Sequence, residues 1–594
     1  MSLTPAVRDA ALRWIADDPD PATRDELQRL LAAALAGGPF ALRSNTQQPG
    51  SHRGGDPALS RIPTQSKAPA EDLAERMAGM LRFGTAGLRG PVRAGPAGMN
   101  VAVVRRATAG LASWLGAHGH GGGTVVVGRD ARHGSAEFAV AASEVLAAAG
   151  FRVYALATPL PTPVLAYAVR AHQAVAGVQL TASHNPPADN GYKVYLSDGA
   201  QLVEPADAEI EAAIAAAPAA RSIDTAPVTP IDPADLLEEY LDRVARLPRG
   251  TDRALRIALT PMHGVGGAVA VHALRRAGFD DVHVVRSQAA PDPDFPTVAF
   301  PNPEEPGATD ALLALAAEVH ADLAVALDPD ADRCALGVPD PTRPGGWRML
   351  TGNETGVLLG DHLLATLDRA VHPDPLVATT VASSTQLRAV AAARGARYAE
   401  TLTGFKWIVR AGGGFVFGYE EALGYCVDPD AVRDKDGIAA AVLAADLAAT
   451  RRAAGGSLLD ALDELAMAHG VYLTEAVTAL VTPEQRAEAV ARLASGSGLP
   501  TATGELSRPA PDVFVLTGPR TRAVIRPSGT EPKLKAYLEV VEPAPADTPG
   551  LWAARGLARD RLDTLRAQVS AMIGAPEARP ADDPPGPPDG TGVQ

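Results

Sequence analysis

Cysteine, lysine and positive charge are all in short supply in this chain of 594 residues. Its two cysteines, Cys334 and Cys426, exclude a disulfide framework and a zinc site built on clustered thiolates. The formal net charge is −15. Nucleic acid and anionic membrane both need a basic footprint, so neither is expected as a partner. A few arginines in a cleft still suffice to bind a phosphate. Long uncharged apolar runs are also missing, and even "AAAVLAADLAA" is interrupted by Asp446. The opening "MSLTPAVRDAALRWIADDPD" carries acids where a signal peptide needs an apolar centre, so a cytoplasmic location is expected.

What is present is a chain too long for one hydrophobic core, which predicts three or four domains. Residues 5–36 have helical spacing, with "DPDPATRDEL" marking a turn and a fresh helix start. Residues 41–68 lose periodicity and gain Gly, Pro, Ser and Gln, the composition of a flexible linker. The end, "APEARPADDPPGPPDGTGVQ", reads as a disordered tail. Between them a strand–helix–strand pattern recurs: "TVVVGRD" to "FRVYALA", "RIALTPMHG" to "VHVV", and "LVATTVA" to "ARYAET". Each unit is followed by another apolar strand ending in an unusual polar loop: "AGVQL" into TASHNP, "LAVAL" into DPDADR, and "GFVF" into GYEEALGY. Ligands of α/β sheets bind at such strand ends, so three domains are expected to face one cleft. A fourth segment, near 512–541, reads strand–turn–strand around "RPSGTEPK".

Asp328, Asp330 and Asp332 alternate in "LDPDADRC". In an extended segment that spacing puts all three carboxylates on one side. Converging carboxylates repel unless a cation lies between them, and a hard divalent ion such as Mg²⁺ fits oxygen ligands. A solvated acidic turn is the alternative. An EF-hand is excluded, because the sixth position is Arg333 and the twelfth Pro339. "RPSGTEPK" gathers Arg526, Ser528, Gly529 and Thr530, donors suited to an anion, although the bare Ser-Gly-Thr reads equally as a turn. Glu420 and Glu421 offer either acceptors for sugar hydroxyls or the exposed start of a helix. Ser183 is either a polar turn residue or a phosphate carrier; with no GxSxG elbow, a hydrolase triad is not expected. "HGVGG" lacks a complete GxGxxG and reads as a tight strand-to-helix turn.

Lysine scarcity is itself informative. Among 54 basic residues the lysines are Lys67, Lys193, Lys406, Lys435, Lys533 and Lys535, and all but Lys67 lie in or beside these loops. A lysine of lowered pKa can release a proton near neutrality, whereas arginine cannot.

TASHNP, DPDADR, GYEEALGY and RPSGTEP, in this order and with "FGTAGLRG" at 83–90, resemble the α-D-phosphohexomutase superfamily over about residues 70–575. The combination with "DKDG" looks most like its phosphoglucomutase and phosphopentomutase branch. The resemblance implies an α/β protein: three tandem mixed α/β domains plus a C-terminal α+β domain around a central cleft. It implies the phosphoserine at Ser183, with Mg²⁺ held by Asp328, Asp330 and Asp332 together with that serine, and Arg333 beside them. It implies a phosphate grip by Arg526, Ser528, Gly529 and Thr530, and sugar contacts from Glu420 and Glu421. Arg89, His184, Lys193 and Lys406 match cleft positions, and Lys435 a general acid–base.

The expected layout is a helical segment (1–40), the linker (41–68), domains at 69–225, 226–345, 346–475 and 476–575, and the tail (576–594). The implied reaction interconverts glucose 1-phosphate and glucose 6-phosphate through a sugar 1,6-bisphosphate, with sugar phosphates as the only expected partners. Monomer and homodimer are equally open. One departure stands out. Many glucose-handling members have serine two residues after the sugar-binding glutamate, where this chain has Ala422. That keeps phosphopentomutase and phosphomannomutase as alternatives, and a metal-dependent phosphatase as the rival of another class.

Overall fold

The computed structural model describes residues 3–36, 67–82, 87–495, 504–527 and 533–575. Most of the expected linker, the tail, the start of "FGTAGLRG" and the residues Ser528, Gly529 and Thr530 lie outside them.

The first two domains share one sheet plan. In the first, Thr124–Arg129, Arg152–Ala155 and Ala176–Leu180 run parallel; Asp189–Leu196 pairs antiparallel to Ala176–Leu180, and Leu88–Pro91 closes the edge. In the second, Ile257–Thr260, Val282–Val284 and Leu323–Leu327 run parallel, Cys334–Pro339 pairs antiparallel to the last, and Trp347–Met349 lies at the edge. The third sheet repeats most of this with parallel Leu376–Thr380, Arg397–Thr401 and Phe415–Glu420, then antiparallel Gly424–Cys426. Central strands such as "AGVQL" and "LAVAL" are buried throughout, which is why they are apolar without alternation, save Gln179, whose amide donates to Leu160 O at 2.9 Å.

The fourth sheet is wholly antiparallel: Val471–Leu480, Lys533–Glu542, Thr521–Pro527, Val513–Thr517 and Glu505–Ala510 in spatial order. The helix Thr548–Ile573 covers it, burying Leu551, Ala558, Leu562, Leu565 and Val569 in its core. Asp547 accepts from the Gly550 amide to cap that helix, supporting an exposed start that packing alone does not reach.

Two boundaries move. The strand Val471–Leu480 crosses the expected break at 475, and Trp347–Met349 belongs to the second sheet rather than the third domain. The N-terminal helices Pro5–Asp17 and Pro21–Ala36 form where their spacing predicts. They are not a separate segment, because Ala11, Trp14, Leu27 and Leu30 join the first domain's core with Leu73 and Leu111.

One apolar cluster runs through the first three domains, from Val126 and Leu165 through Leu259 and Leu327 to Phe417 and Leu443. Continuous close packing holds their loops in fixed relation. The fourth domain has its own core and meets the third through a small patch, Val381 against Val513, Val515 and Val524. No described helix is long and apolar enough to cross a membrane.

Candidate active site

The three polar loops occupy one topological slot. Each joins the carboxyl end of a parallel strand to the antiparallel strand beside it: Leu180 to Asp189, Leu327 to Cys334, and Glu420 to Gly424. The GYEEALGY segment is therefore a hairpin connection, not a helix start.

Ser183 is buried at 1% exposure with a left-handed backbone, φ 52°. Its amide donates to Thr181 Oγ1 at 2.9 Å, which helps to hold that turn. Its Oγ donates to Asp328 Oδ2 at 2.8 Å and lies 3.1 Å from His184 Nδ1. Burial, followed by the charges of Arg333 and Arg89, lowers the His184 pKa well below the ordinary imidazole value, so its ring is neutral at neutral pH. Arg89 Nη1 donates to Asn185 Oδ1 at 3.1 Å on the same loop.

Asp328, Asp330 and Asp332 converge, with one oxygen of each within 4.8 Å of the others. The expected cause is wrong. The strand ends at Leu327, and the acids lie on a tight turn in which Ala331 is left-handed at φ 56°, so chain reversal rather than extended alternation gathers them. Asp328 Oδ1 accepts from the Arg333 amide at 3.0 Å, while Asp330 Oδ2 accepts from Thr162 Oγ1 at 2.6 Å. Lys193 Nζ bridges Asp330 Oδ2 at 2.6 Å and Asp332 Oδ2 at 2.8 Å, and Lys435 Nζ lies 3.4 Å from the latter. The first, second and third domains thus meet at Lys193, Asp332 and Lys435.

Charge here is strongly biased. Burial, then Asp330 and Asp332, push the Asp328 carboxyl well above its usual range. Burial opposes ionisation of Asp332 too, but Lys193, Lys435 and Arg333 outweigh it and hold that carboxyl far below. For Lys193 and Lys435 burial favours loss of the proton, yet the carboxylates win and raise both ammonium pKa values. The lowered lysine expected from the sequence is therefore not what this geometry produces. The turn does suit a hard cation: Asp330 Oδ1 and Asp332 Oδ1 are buried without a partner, the donor type such an ion takes.

Glu420 ends its strand near Lys435 and Arg333; burial raises its pKa and those two charges lower it. Glu421 also braces the third domain. Its Oε2 accepts from Thr380 Oγ1 and Ser383 Oγ, both at 2.9 Å. Lys406 contacts Asp207 at 3.8 Å and the Trp407 ring, not the aspartate turn. Arg333 faces Glu304 at 3.5 Å and Asp332 at 4.0 Å. Arg526 lies next to the end of the strand Thr521–Pro527, over the Tyr537 ring, with its Nε buried and unpartnered. Lys535 is its register partner.

Thr162, Arg132 and Glu539 escaped the sequence reading. Glu539 accepts from Ser384 Oγ at 2.6 Å and Thr385 Oγ1 at 2.7 Å, joining the fourth domain to the third. Arg132 follows the first strand of its unit, a position that could have flagged it, whereas Thr162 at a helix start and Glu539 within a strand carry no such signal.

Three domains with matching sheets thus bring a buried serine onto an acidic turn, the layout of a multidomain α/β protein with its site between domains. Three family models match in order: phosphoglucomutase/phosphomannomutase, alpha/beta/alpha domain I over 80–221, domain II over 238–341 and domain III over 351–467. A probable phosphomannomutase of Haemophilus influenzae is 39% identical over 466 residues, covering 76% of this chain and 94% of that one. The human phosphopentomutase is 32% identical over 534 residues, covering 80% and 87%. The crystal structure of a putative phosphomannomutase from Thermus thermophilus matches with a TM-score of 0.63 and 25% identity, covering 82% of this chain and 99% of that one. The chain belongs to the phosphoglucomutase/phosphomannomutase family, within the α-D-phosphohexomutase superfamily, and is an enzyme of the phosphosugar mutase type.

Proposed function

We propose that the enzyme moves a phosphoryl group between C1 and C6 of a hexose phosphate, interconverting glucose 1-phosphate and glucose 6-phosphate, with Ser183 as the phosphate carrier. The observation that carries this reading is the placement of Ser183 Oγ against Asp328, with Lys193 and Lys435 around the same acidic turn. A Mg²⁺ ion held by Asp328, Asp330 and Asp332 would neutralise phosphate charge there.

In the first half-reaction the bond from phosphorus to Ser183 Oγ breaks and one to the sugar's free hydroxyl oxygen forms; that hydroxyl gives up its proton and the released Ser183 Oγ ends protonated, leaving a 1,6-bisphosphate. After that intermediate turns over, its other phosphoryl group passes back to Ser183 Oγ, which loses its proton as the sugar oxygen it replaces gains one. Protonated Lys435 suits donation to the departing sugar oxygen, and His184 Nδ1 lies 3.1 Å from Ser183 Oγ. Phosphoryl transfer of this kind depends mainly on positioning and charge neutralisation. Glu420 accepts from sugar hydroxyls, and Arg526, with Ser528, Gly529 and Thr530 outside the described residues, grips the phosphate that stays. Arg89 and Arg333 line the cleft between these groups. The four domains at about 69–225, 226–349, 350–470 and 471–575 supply one loop each.

A second reading, a phosphopentomutase acting on ribose or deoxyribose phosphate, is favoured by Ala422 and by relatives named phosphopentomutase and phosphoribomutase. Glucose 1-phosphate, mannose 1-phosphate and ribose 1-phosphate, each offered with Mg²⁺ and a trace of the matching bisphosphate and followed by ³¹P NMR, separate these. Conversion to the 6- or 5-phosphate names the substrate. Release of inorganic phosphate alone would refute the mutase reaction in favour of hydrolysis.

A further inference from the structure

Arg132 makes an unusual set of contacts. Its guanidinium is almost fully buried, yet its nearest carboxylate, Asp130, is 3.5 Å away and forms no hydrogen bond to that side chain. The donors go instead to backbone carbonyls of the serine loop. Nη2 donates to Ser183 O at 2.7 Å and Asn185 O at 2.6 Å; Nη1 donates to Pro186 O at 2.8 Å and Asp189 O at 3.1 Å. One planar fork therefore ties four carbonyls across seven residues, and those residues include the left-handed Ser183.

The opposite side of the contact belongs to the second domain. The Phe295 ring lies 4.9 Å from the guanidinium carbon, and the neighbouring His133 Nε2 lies 2.7 Å from Asp294 Oδ1. Phe295 is itself left-handed and buried at 3% exposure. It packs edge-on to His263, at the end of the strand that neighbours the one leading into the aspartate turn.

We infer that Arg132 is a positioning residue: it locks the Ser183 loop in its left-handed turn and, through Phe295, sets that loop against the domain that carries Asp328. Side-chain identity matters here. Guanidinium has five donors in a fixed plane, whereas a lysine ammonium is a single point that cannot span Ser183 O and Asp189 O together. A strained left-handed non-glycine residue persists only where its surroundings enforce it. The four carbonyl contacts are that enforcement. The functional half of this inference rests on Ser183 as the phosphate carrier; the structural half does not.

The test uses Arg132→Lys, with Phe295→Leu as a second variant that leaves every hydrogen bond to the loop in place. Hydrogen exchange of the peptide covering 181–191 is followed in the free, full-length protein, and kcat and KM are measured on the sugar phosphate that the wild type converts. Arg132→Lys is expected to speed exchange in that peptide while the helices of the first domain stay protected. It should lower kcat by roughly 10²-fold, the scale for a misplaced reacting group, with KM nearly unchanged. Phe295→Leu should lower kcat by a smaller factor without the loop opening. Unchanged exchange at 181–191, or a rise in KM alone, would overturn the inference. If the wild type has no mutase activity, the carrier role of Ser183 fails, and the exchange data still decide whether Arg132 holds the loop.

Discussion

Ser183 of the first domain and Asp328 of the second share a hydrogen bond of 2.8 Å, from a serine hydroxyl to a carboxylate oxygen, and both are buried. The proposed carrier oxygen and a candidate metal ligand are thus in direct contact. Replacing Ser183 by alanine removes the oxygen without disturbing the carbonyls that Arg132 holds. Turnover is expected to fall to background while sugar phosphate binding by calorimetry persists. Full activity in that variant would refute the carrier role.

Asp330 is the ligand candidate whose change is most readable. Asp330→Asn keeps the shape but removes one charge opposite Lys193, leaving that ammonium with Asp332. Turnover should drop by about 10²-fold, with the Mg²⁺ concentration for half-maximal activity shifted upward. An unaltered Mg²⁺ dependence would argue against a metal at this turn.

The two adjacent glutamates are expected to separate cleanly. Glu420→Gln should raise KM for the sugar phosphate with little effect on melting. Glu421→Gln should instead lower stability by about 1–3 kcal/mol, because it leaves Thr380 and Ser383 with a poorer acceptor. Denaturation and steady-state kinetics on the pair check both halves; identical behaviour would sink the distinction.

Asp436, which caps the helix after Lys435, provides a pH prediction. Burial pushes its pKa up to about 7 from the ordinary 3.8, although Ala439, Tyr240 and Ile438 donate to it. An acid whose folded pKa is raised keeps its proton in the native state after the unfolded chain has lost it. Stability from this group is therefore fully present below about pH 4 and is lost as pH rises towards 7, at roughly 1.4 kcal/mol per pH unit. Asp436→Asn, which preserves the helix cap, should flatten the stability profile across that window. A profile unchanged from wild type would contradict the assignment.

The sequence carried the parts of this site that repeat. Buried parallel strands announce themselves as "AGVQL" and "LAVAL", and the polar residues just beyond them cannot be core, so Ser183 and the aspartates were legible. The geometry behind them was not. A single left-handed residue, Ala331, gathers the three carboxylates, and no side-chain periodicity encodes a positive φ at alanine. Glu420 and Glu421 are indistinguishable until a hairpin turns one inward to Thr380 and Ser383. Arg132 is one arginine in a chain that uses arginine nearly everywhere, and its role lies in backbone carbonyls that composition does not reveal. Lys193 and Lys435 do reach the acidic turn, but each ammonium arrives there with carboxylates attached, which raise its pKa instead of lowering it.

The repeated slot has a consequence for how such a protein tolerates change. Each of the first three sheets contributes its loop at the same slot, and Ser183, the acidic turn and Glu420 are lodged in separate folding units. The reaction proposed above would therefore be a property of their registration. A shift of one unit by a few ångströms, with every strand and helix intact, would leave three well-formed and chemically silent pieces.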